Sequence, residues 1–313
     1  MKIADMKIAV MGAGGVGGYF GSRLALAGHD VSFIARGAHM KAMQTQGLKV
    51  TSPLGDMHVP QPRVTSNPAD IGPVDIVLFG VKLWDTESAA QTIKPLIGPN
   101  TAVISFQNGV VKDDLLIAAL GKEAVAGGVC YIAATIAEPG VIAHSGQMAK
   151  LVFGELDGRA SERMTAFQQA CQGAGIDHVL SADITRAIWE KFVFLVGLSA
   201  TTTATRNPIG AVRSNPNTRQ LLEHVMQEVV AVGIASGARL PPDFAQDRLR
   251  FCDQLPEGMT SSMHGDLKRG NRLEVPWLSG DVSRRGLALG VPTPANTALF
   301  QSLALQADGV AQP

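Results

Sequence analysis

The sequence is poor in cysteine, in charge imbalance and in long apolar runs, and each scarcity removes a class of protein. Cys130, Cys171 and Cys252 are the three cysteines in 313 residues. They are odd in number and far apart, with no Cys-x-x-Cys pair, so neither a disulfide framework nor a cysteine zinc site is expected. No His-Glu-x-x-His segment offers a metal site either. Lys and Arg together number 27, as do Asp and Glu. A general nucleic-acid surface draws on a basic excess, and this chain has none. No apolar run approaches the roughly eighteen residues that suggest a membrane-spanning helix. Met1–Met6 carries no signal-peptide core, and the apolar run behind it ends in glycines, as a strand would. These absences predict a soluble, cytoplasmic protein.

What is present is a chain that is 46% hydrophobic, enough for one large core or two moderate ones. It is organised around Lys7–Gly17, where an apolar run (Ile8–Met11) leads into Gly12-Ala13-Gly14-Gly15-Val16-Gly17 and then a helical stretch to Ala27. Strand, glycine turn and helix in that order form a dinucleotide-binding unit. Gly12 permits the tight turn, Gly14 lets backbone approach a pyrophosphate, and Gly17 lets the helix pack on the strand. Gly15 and Val16 lie at the helix start, whose N–H groups and positive dipole end suit phosphates. A second strand, Asp30–Arg36, completes the unit.

One more absence selects the dinucleotide. No Asp or Glu lies between Val31 and Gly47, whereas Arg36, His39 and Lys41 do. A carboxylate at the end of the second strand would accept a ribose 2′-hydroxyl; an arginine suits a 2′-phosphate. The reading is NADP(H).

Farther along, Ala38–Gln46 reads as a short helix, and Leu48–Thr51 with Met57–Val59 as a hairpin around Pro53-Leu54-Gly55-Asp56. Asp75–Lys82 and Thr101–Asn108 are apolar runs of the kind buried on both faces of a parallel sheet, with a helix between them from Thr86 to Leu96. Ligands of such sheets gather at the carboxyl ends of the strands, which puts Lys82 and Asn108 where they could meet a cofactor; taken alone, each also fits an ordinary loop residue. Strands are also expected at 124–135, 141–144, 150–155 and 176–180, with a helix at 162–171. From Ile184 the texture turns helical: 184–203, 217–233, 242–254, 261–270, 275–290 and 293–307. The expected fold is α/β, an N-terminal Rossmann-type doubly wound parallel sheet over residues 1–182, followed by an all-helical domain over 183–313.

In the helical half, Lys191 is the only basic residue between Arg186 and Arg206, on an otherwise apolar helix. Burial disfavours a charged ammonium and would make it a readier proton donor; a lysine snorkelling to solvent is the plainer alternative. Ser262 falls on the first turn of a helix, and Glu274 opens the next element, where a carboxylate near the lysine could orient it; a helix cap and a surface carboxylate are the plainer alternatives.

Taken together, Gly12-x-Gly14-x-x-Gly17, Ala35-Arg36-Gly37, Val81-Lys82, Gln107-Asn108-Gly109, Ile188-Trp189-Glu190-Lys191, Ser261-Ser262-Met263 with Asp266 and Glu274, and Gly290-Val291-Pro292-Thr293-Pro294 occur in an order that resembles the ketopantoate reductases (2-dehydropantoate 2-reductases) over nearly the whole chain. The resemblance implies NADPH-dependent reduction of a 2-oxo acid, most simply 2-dehydropantoate to pantoate in pantothenate biosynthesis. It implies that Arg36 binds the 2′-phosphate, Lys82 lies on the adenosine side, and Asn108 sits between nicotinamide and substrate. Lys191 would be the general acid, Ser262 would bind the substrate carboxylate, and Glu274 would hold Lys191 and the substrate hydroxyl.

There is one departure. The resembled enzymes carry asparagines four and eight residues after the lysine, on its face, as part of the substrate pocket; here those positions are Leu195 and Ser199. Thr201–Thr203 and Asn207 are candidate replacements. Leu195 predicts weaker turnover of a hydroxylated oxo acid and keeps open a reductase of a less polar carbonyl compound. A non-catalytic NADP(H)-binding redox sensor is the reading of a different class, and retention of Lys191, Ser262 and Glu274 argues against it. The expected partner is a small 2-oxo acid, without nucleic acid or membrane; a homodimer is left open.

Overall fold

The computed structural model describes residues 5–310; most of the segment read for a signal sequence, Met1–Met6, lies outside them. The chain divides into two compact units. One comprises the residues up to Asn108 together with Lys112–Ala187, the other Gly109–Val111 together with the residues from Ile188 onward.

The first unit holds ten strands: β1 Lys7–Met11, β2 Asp30–Ile34, β3 Leu48–Thr51, β4 Met57–Val59, β5 Arg63–Thr65, β6 Ile76–Phe79, β7 Ala102–Ser105, β8 Val125–Glu138, β9 Val141–Gly154 and β10 Asp177–Leu180. Their order is β4-β3-β9-β8-β7-β6-β1-β2-β5, with β10 beside β9. From β5 across to β8 every pairing is parallel. Ile76–Phe79 and Ala102–Ser105 are buried at every position, which is why they read as uninterrupted apolar runs.

The sheet is mixed rather than wholly parallel. β8 continues past its parallel register with β7 and pairs antiparallel with β9, and β3 pairs antiparallel with β4. The separate strands expected at 141–144 and 150–155 are one strand. It is interrupted where Ile132 faces Ala149 but Ala133 faces Ser145, leaving three residues bulged at Gly146, whose φ is +80°.

Helices α1 Gly15–Leu26, α2 Gly37–Gln46, α3 Thr86–Thr92, α4 Val111–Leu120 and α5 Glu162–Gly173 connect these strands. α4, β5 and several 3₁₀ turns were not expected from the sequence. Burial pushes the Cys171 thiol up to about 12, so this cysteine is an inert core residue.

The helical unit is built from α6 Ile184–Thr205, whose first four residues belong to the first unit, with α7 Ile209–Ser214, α8 Pro216–Ala235, α9 Phe244–Asp253, α10 Ser262–Lys268, α11 Ser279–Leu289 and α12 Pro294–Ser302. The helix expected over 275–290 is a 3₁₀ turn, Val275–Trp277, followed by α11. α6 and α8 approach so closely that a Cβ at Gly197 would lie 2.5 Å from Met226 Cε. Glu228 then reaches from α8 to cap α12, accepting from the backbone N–H groups of Ala295 and Asn296 at 2.7 and 2.8 Å.

Candidate active site

In the sheet unit, four segments meet at the carboxyl ends of adjacent parallel strands. These are the glycine turn after β1, Arg36 after β2, Lys82 after β6 and Asn108 after β7. Gly12 has φ +95°, and a Cβ there would lie 2.9 Å from the Gly80 carbonyl carbon. Its N–H donates to the Ile34 carbonyl at 3.3 Å, fastening the turn to the end of β2. A Cβ at Gly17 would fall 2.2 Å from the Gly12 carbonyl oxygen, so helix and turn touch backbone to backbone. At Gly14 the situation reverses, since a Cβ would meet nothing within 4 Å. The turn is therefore closed on its protein side and open at Gly14, the N-cap of α1. That is the shape a phosphate cradle requires.

Gly15 lacks a side chain for a different reason. A Cβ there would lie 2.0 Å from the Ala134 carbonyl oxygen, so the β8 arm passes directly over the start of α1. Val16 is half-buried and packs on the sheet core.

Arg36 is exposed and is the N-cap residue of α2. His39, grouped with it in the sequence as a basic residue, is engaged elsewhere. Its Nε2 lies 2.9 Å from the Ala13 carbonyl oxygen, and its Nδ1 accepts from the Gly140 N–H at 3.0 Å. A ring that accepts at Nδ1 and donates at Nε2 is the neutral Nε2–H tautomer, so in this arrangement it adds no charge beside Arg36.

Lys82 stands over the Trp84 ring, its Nζ 5.5 Å from the centroid. The Gln107 amide, buried just before Asn108, donates to the Val81 carbonyl at 2.9 Å and to Thr86 Oγ1 at 2.8 Å, and accepts from Ser105 Oγ at 3.0 Å. It stitches the end of β7 to the end of β6 and so fixes both Lys82 and Asn108. Its position beside Asn108 was the only sequence signal for this role.

In the helical unit, Lys191, Leu195 and Ser199 follow one another at four-residue steps on α6, with Thr203 next. Lys191 and Leu195 are half-buried; Ser199 is 1% exposed. Thr201 and Thr202 direct their hydroxyls back to the Gly197 and Leu198 carbonyls at 2.7 and 2.6 Å, and Asn207 donates to the Thr205 carbonyl. Their first commitments are thus to their own helix. The Ser199 and Thr203 hydroxyls have no hydrogen-bond partner among the described residues.

Ser262 is exposed at the first position of α10. The preceding Ser261 caps that helix and meets Thr202 Oγ1 at 3.2 Å, tying α10 to α6. His264 is the third residue of α10. Burial and the nearby Lys268 charge push its imidazole below the usual range. Glu274 is half-buried and occupies the N-cap position of the Val275–Trp277 turn. Among the described residues no cluster of His, Cys, Asp and Glu could hold a metal ion, and no helix is long and apolar enough to cross a membrane.

Parallel strands ending in an open glycine cradle define a dinucleotide-binding protein, and the helical unit that follows carries a half-buried lysine. Comparison with known proteins narrows this. The family described as ketopantoate reductase PanE/ApbA matches residues 8–158, and its C-terminal counterpart matches residues 183–307. The chain belongs to the ketopantoate reductase family. It is 30% identical to a 2-dehydropantoate 2-reductase of Mesorhizobium japonicum, over 96% of this chain and 98% of that one. An uncharacterized oxidoreductase of Bacillus subtilis is also 30% identical, over 95% and 98%. The crystal structure of a PanE/ApbA family ketopantoate reductase from Ralstonia eutropha superposes with a TM-score of 0.88 at 35% identity, over 96% and 98% of the two chains.

Proposed function

We propose that this protein reduces a 2-oxo acid to the 2-hydroxy acid with NADPH, the substrate being 2-dehydropantoate or a close relative. The observation that carries the reading is that the family match spans both units, and relatives matched end to end are named 2-dehydropantoate 2-reductases.

The residues fit the cofactor. The cradle is open at Gly14, and the strand end that would face the adenosine ribose carries Arg36 with no carboxylate between Val31 and Gly47. Gly12–Gly17 would hold the pyrophosphate, Arg36 the 2′-phosphate and Lys82 the adenosine side. Bound NADPH supplies a hydride from the nicotinamide C4 to the carbonyl carbon. The remaining tasks fall to the chain. Lys191, as the ammonium, donates a hydrogen bond to the substrate carbonyl oxygen and then its proton, neutralising the charge that develops there. Glu274 holds Lys191 in place, Ser262 binds the substrate carboxylate, and Asn108 positions the reacting end.

Leu195 offers no hydrogen bond where the family has asparagine, while the buried Ser199 hydroxyl remains uncommitted. The lysine face of α6 therefore grades from apolar to hydroxyl-bearing. NADPH oxidation measured against a panel of 2-oxo acids that includes ketopantoate tests the reading. Turnover of at least one supports it; none across the panel contradicts it.

A further inference from the structure

His39 contacts two distant parts of the sheet unit at once. Its Nδ1 accepts from Gly140, in the turn joining β8 to β9, and its Nε2 donates to the carbonyl of Ala13, inside the glycine turn. The hairpin reaches this place because two glycines of α1 let it. A Cβ at Gly15 would collide with the Ala134 carbonyl, and one at Gly18 would lie 2.8 Å from Ile142 Cγ1. The imidazole is thus a strut between the hairpin tip and the dinucleotide turn.

The Ala13 carbonyl belongs to the same peptide as the Gly14 N–H. That peptide is trans, so its C=O and N–H point in opposite directions. Fixing the carbonyl toward His39 turns the Gly14 N–H away from it. This peptide turns about ψ of Ala13 and φ of Gly14, and Gly14 has no side chain and open space at its Cβ position, so the bond to His39 adds a restraint on the Gly14 side. We infer that His39 is a positioning residue for the dinucleotide: it sets the Ala13–Gly14 peptide so that the Gly14 N–H is presented to a phosphate oxygen. The inference rests on the dinucleotide reading of Gly12–Gly17. It also gives α2 two duties three residues apart, with Arg36 for the 2′-phosphate and His39 for the turn.

Two conservative variants separate the strut's ends. In His39→Gln the amide nitrogen reaches the former Nε2 position and keeps a donor for Ala13. In His39→Asn the amide oxygen replaces Nδ1 and keeps only the acceptor for Gly140. NADPH affinity is measured by fluorescence titration, with thermal unfolding of each variant alongside. The expected result is a loss of about five- to tenfold in affinity for His39→Ala, as for one well-placed hydrogen bond. His39→Gln should recover most of it and His39→Asn should not. In turnover assays the loss should appear in KM for NADPH while kcat stays near that of the unmodified protein.

Equal affinity in all three variants would overturn the inference. So would recovery by Asn rather than Gln, or failure of all three to fold, because the ring would then serve the hairpin or the fold instead of the turn. Failure of the unmodified protein to bind NADPH would be a different result. It would remove the dinucleotide reading itself, and this inference with it.

Discussion

Ser261 Oγ stands 3.2 Å from Thr202 Oγ1 and also accepts from the His264 N–H at 3.0 Å. One hydroxyl therefore caps α10 and anchors it to α6, the helix that carries Lys191. Ser261→Ala is expected to destabilise the protein by about 1–2 kcal/mol, the loss of an N-cap. It should raise KM for the oxo acid more than it lowers kcat, because Ser262 loses its register while Lys191 stays. Thermal unfolding with steady-state kinetics checks this; an unchanged KM would mean that Ser262 does not bind the substrate.

Arg36 is the only residue between Val31 and Gly37 that can offer a charged donor. A charge-assisted phosphate contact is worth roughly 1.5–3 kcal/mol, or about ten- to hundredfold in affinity. Arg36→Ala is expected to weaken NADPH by that factor and leave NADH nearly unchanged. Titration of both cofactors against both proteins measures it. Equal NADPH and NADH affinity in the unmodified protein would remove the argument.

Glu155 and Arg163 form a paired contact at 2.7 and 2.8 Å, with Ser161 adding a bond at 2.6 Å. Burial alone would raise the Glu155 carboxyl, but the hydrogen bonds from Arg163 and Ser161, with the Arg163 charge, outweigh it and hold the group below its ordinary range. A carboxyl so lowered contributes stability that is present above its unfolded pKa and is lost as pH falls through the folded one. Glu155→Gln should therefore cost about 3–5 kcal/mol near neutral pH by leaving Arg163 uncompensated. The gap should narrow in acid, as the native carboxyl takes up its proton. Urea unfolding over a pH series tests the sign, and a gap that does not change with pH would contradict it.

What the sequence revealed follows from how local each signal is. β1, β6 and β7 were legible because burial on both faces leaves a continuous apolar run. The glycine turn was legible because its chemistry lies within a few residues, whereas Ser261, counted inside the helix expected at 261–270, is that helix's N-cap. β9 was read as two pieces because its bulge at Gly146–Met148 interrupts the pattern. β5 is three residues long, as β4 is, but lacks the turn and partner strand that marked β4 as half of a hairpin. His39 was grouped with Arg36 by charge, whereas its real partners depend on Gly140, 101 residues away. Gly15 looked like a phosphate residue and is also the clearance for Ala134.

Leu195 tests specificity. A buried hydroxyl deprived of its partner costs about 1–3 kcal/mol, so Leu195→Asn is expected to raise kcat/KM for ketopantoate relative to less hydroxylated 2-oxo acids by roughly five- to 150-fold. Competition between two oxo acids gives the ratio directly. No change would mean that Leu195 does not face the substrate, or that Ser199 already supplies the bond.

The central claim is that Lys191 delivers the proton. Lys191→Ala should leave NADPH affinity nearly unchanged while kcat on the best oxo acid falls by roughly 10²–10⁴, the usual contribution of a positioned general acid. Combining it with Glu274→Ala should cost far less than the product of the two single losses, because both act on one step. Single-turnover NADPH oxidation by the Lys191→Ala protein is the most direct measurement. A collapse in rate with intact cofactor binding is the predicted result, and near-normal turnover would contradict the mechanism.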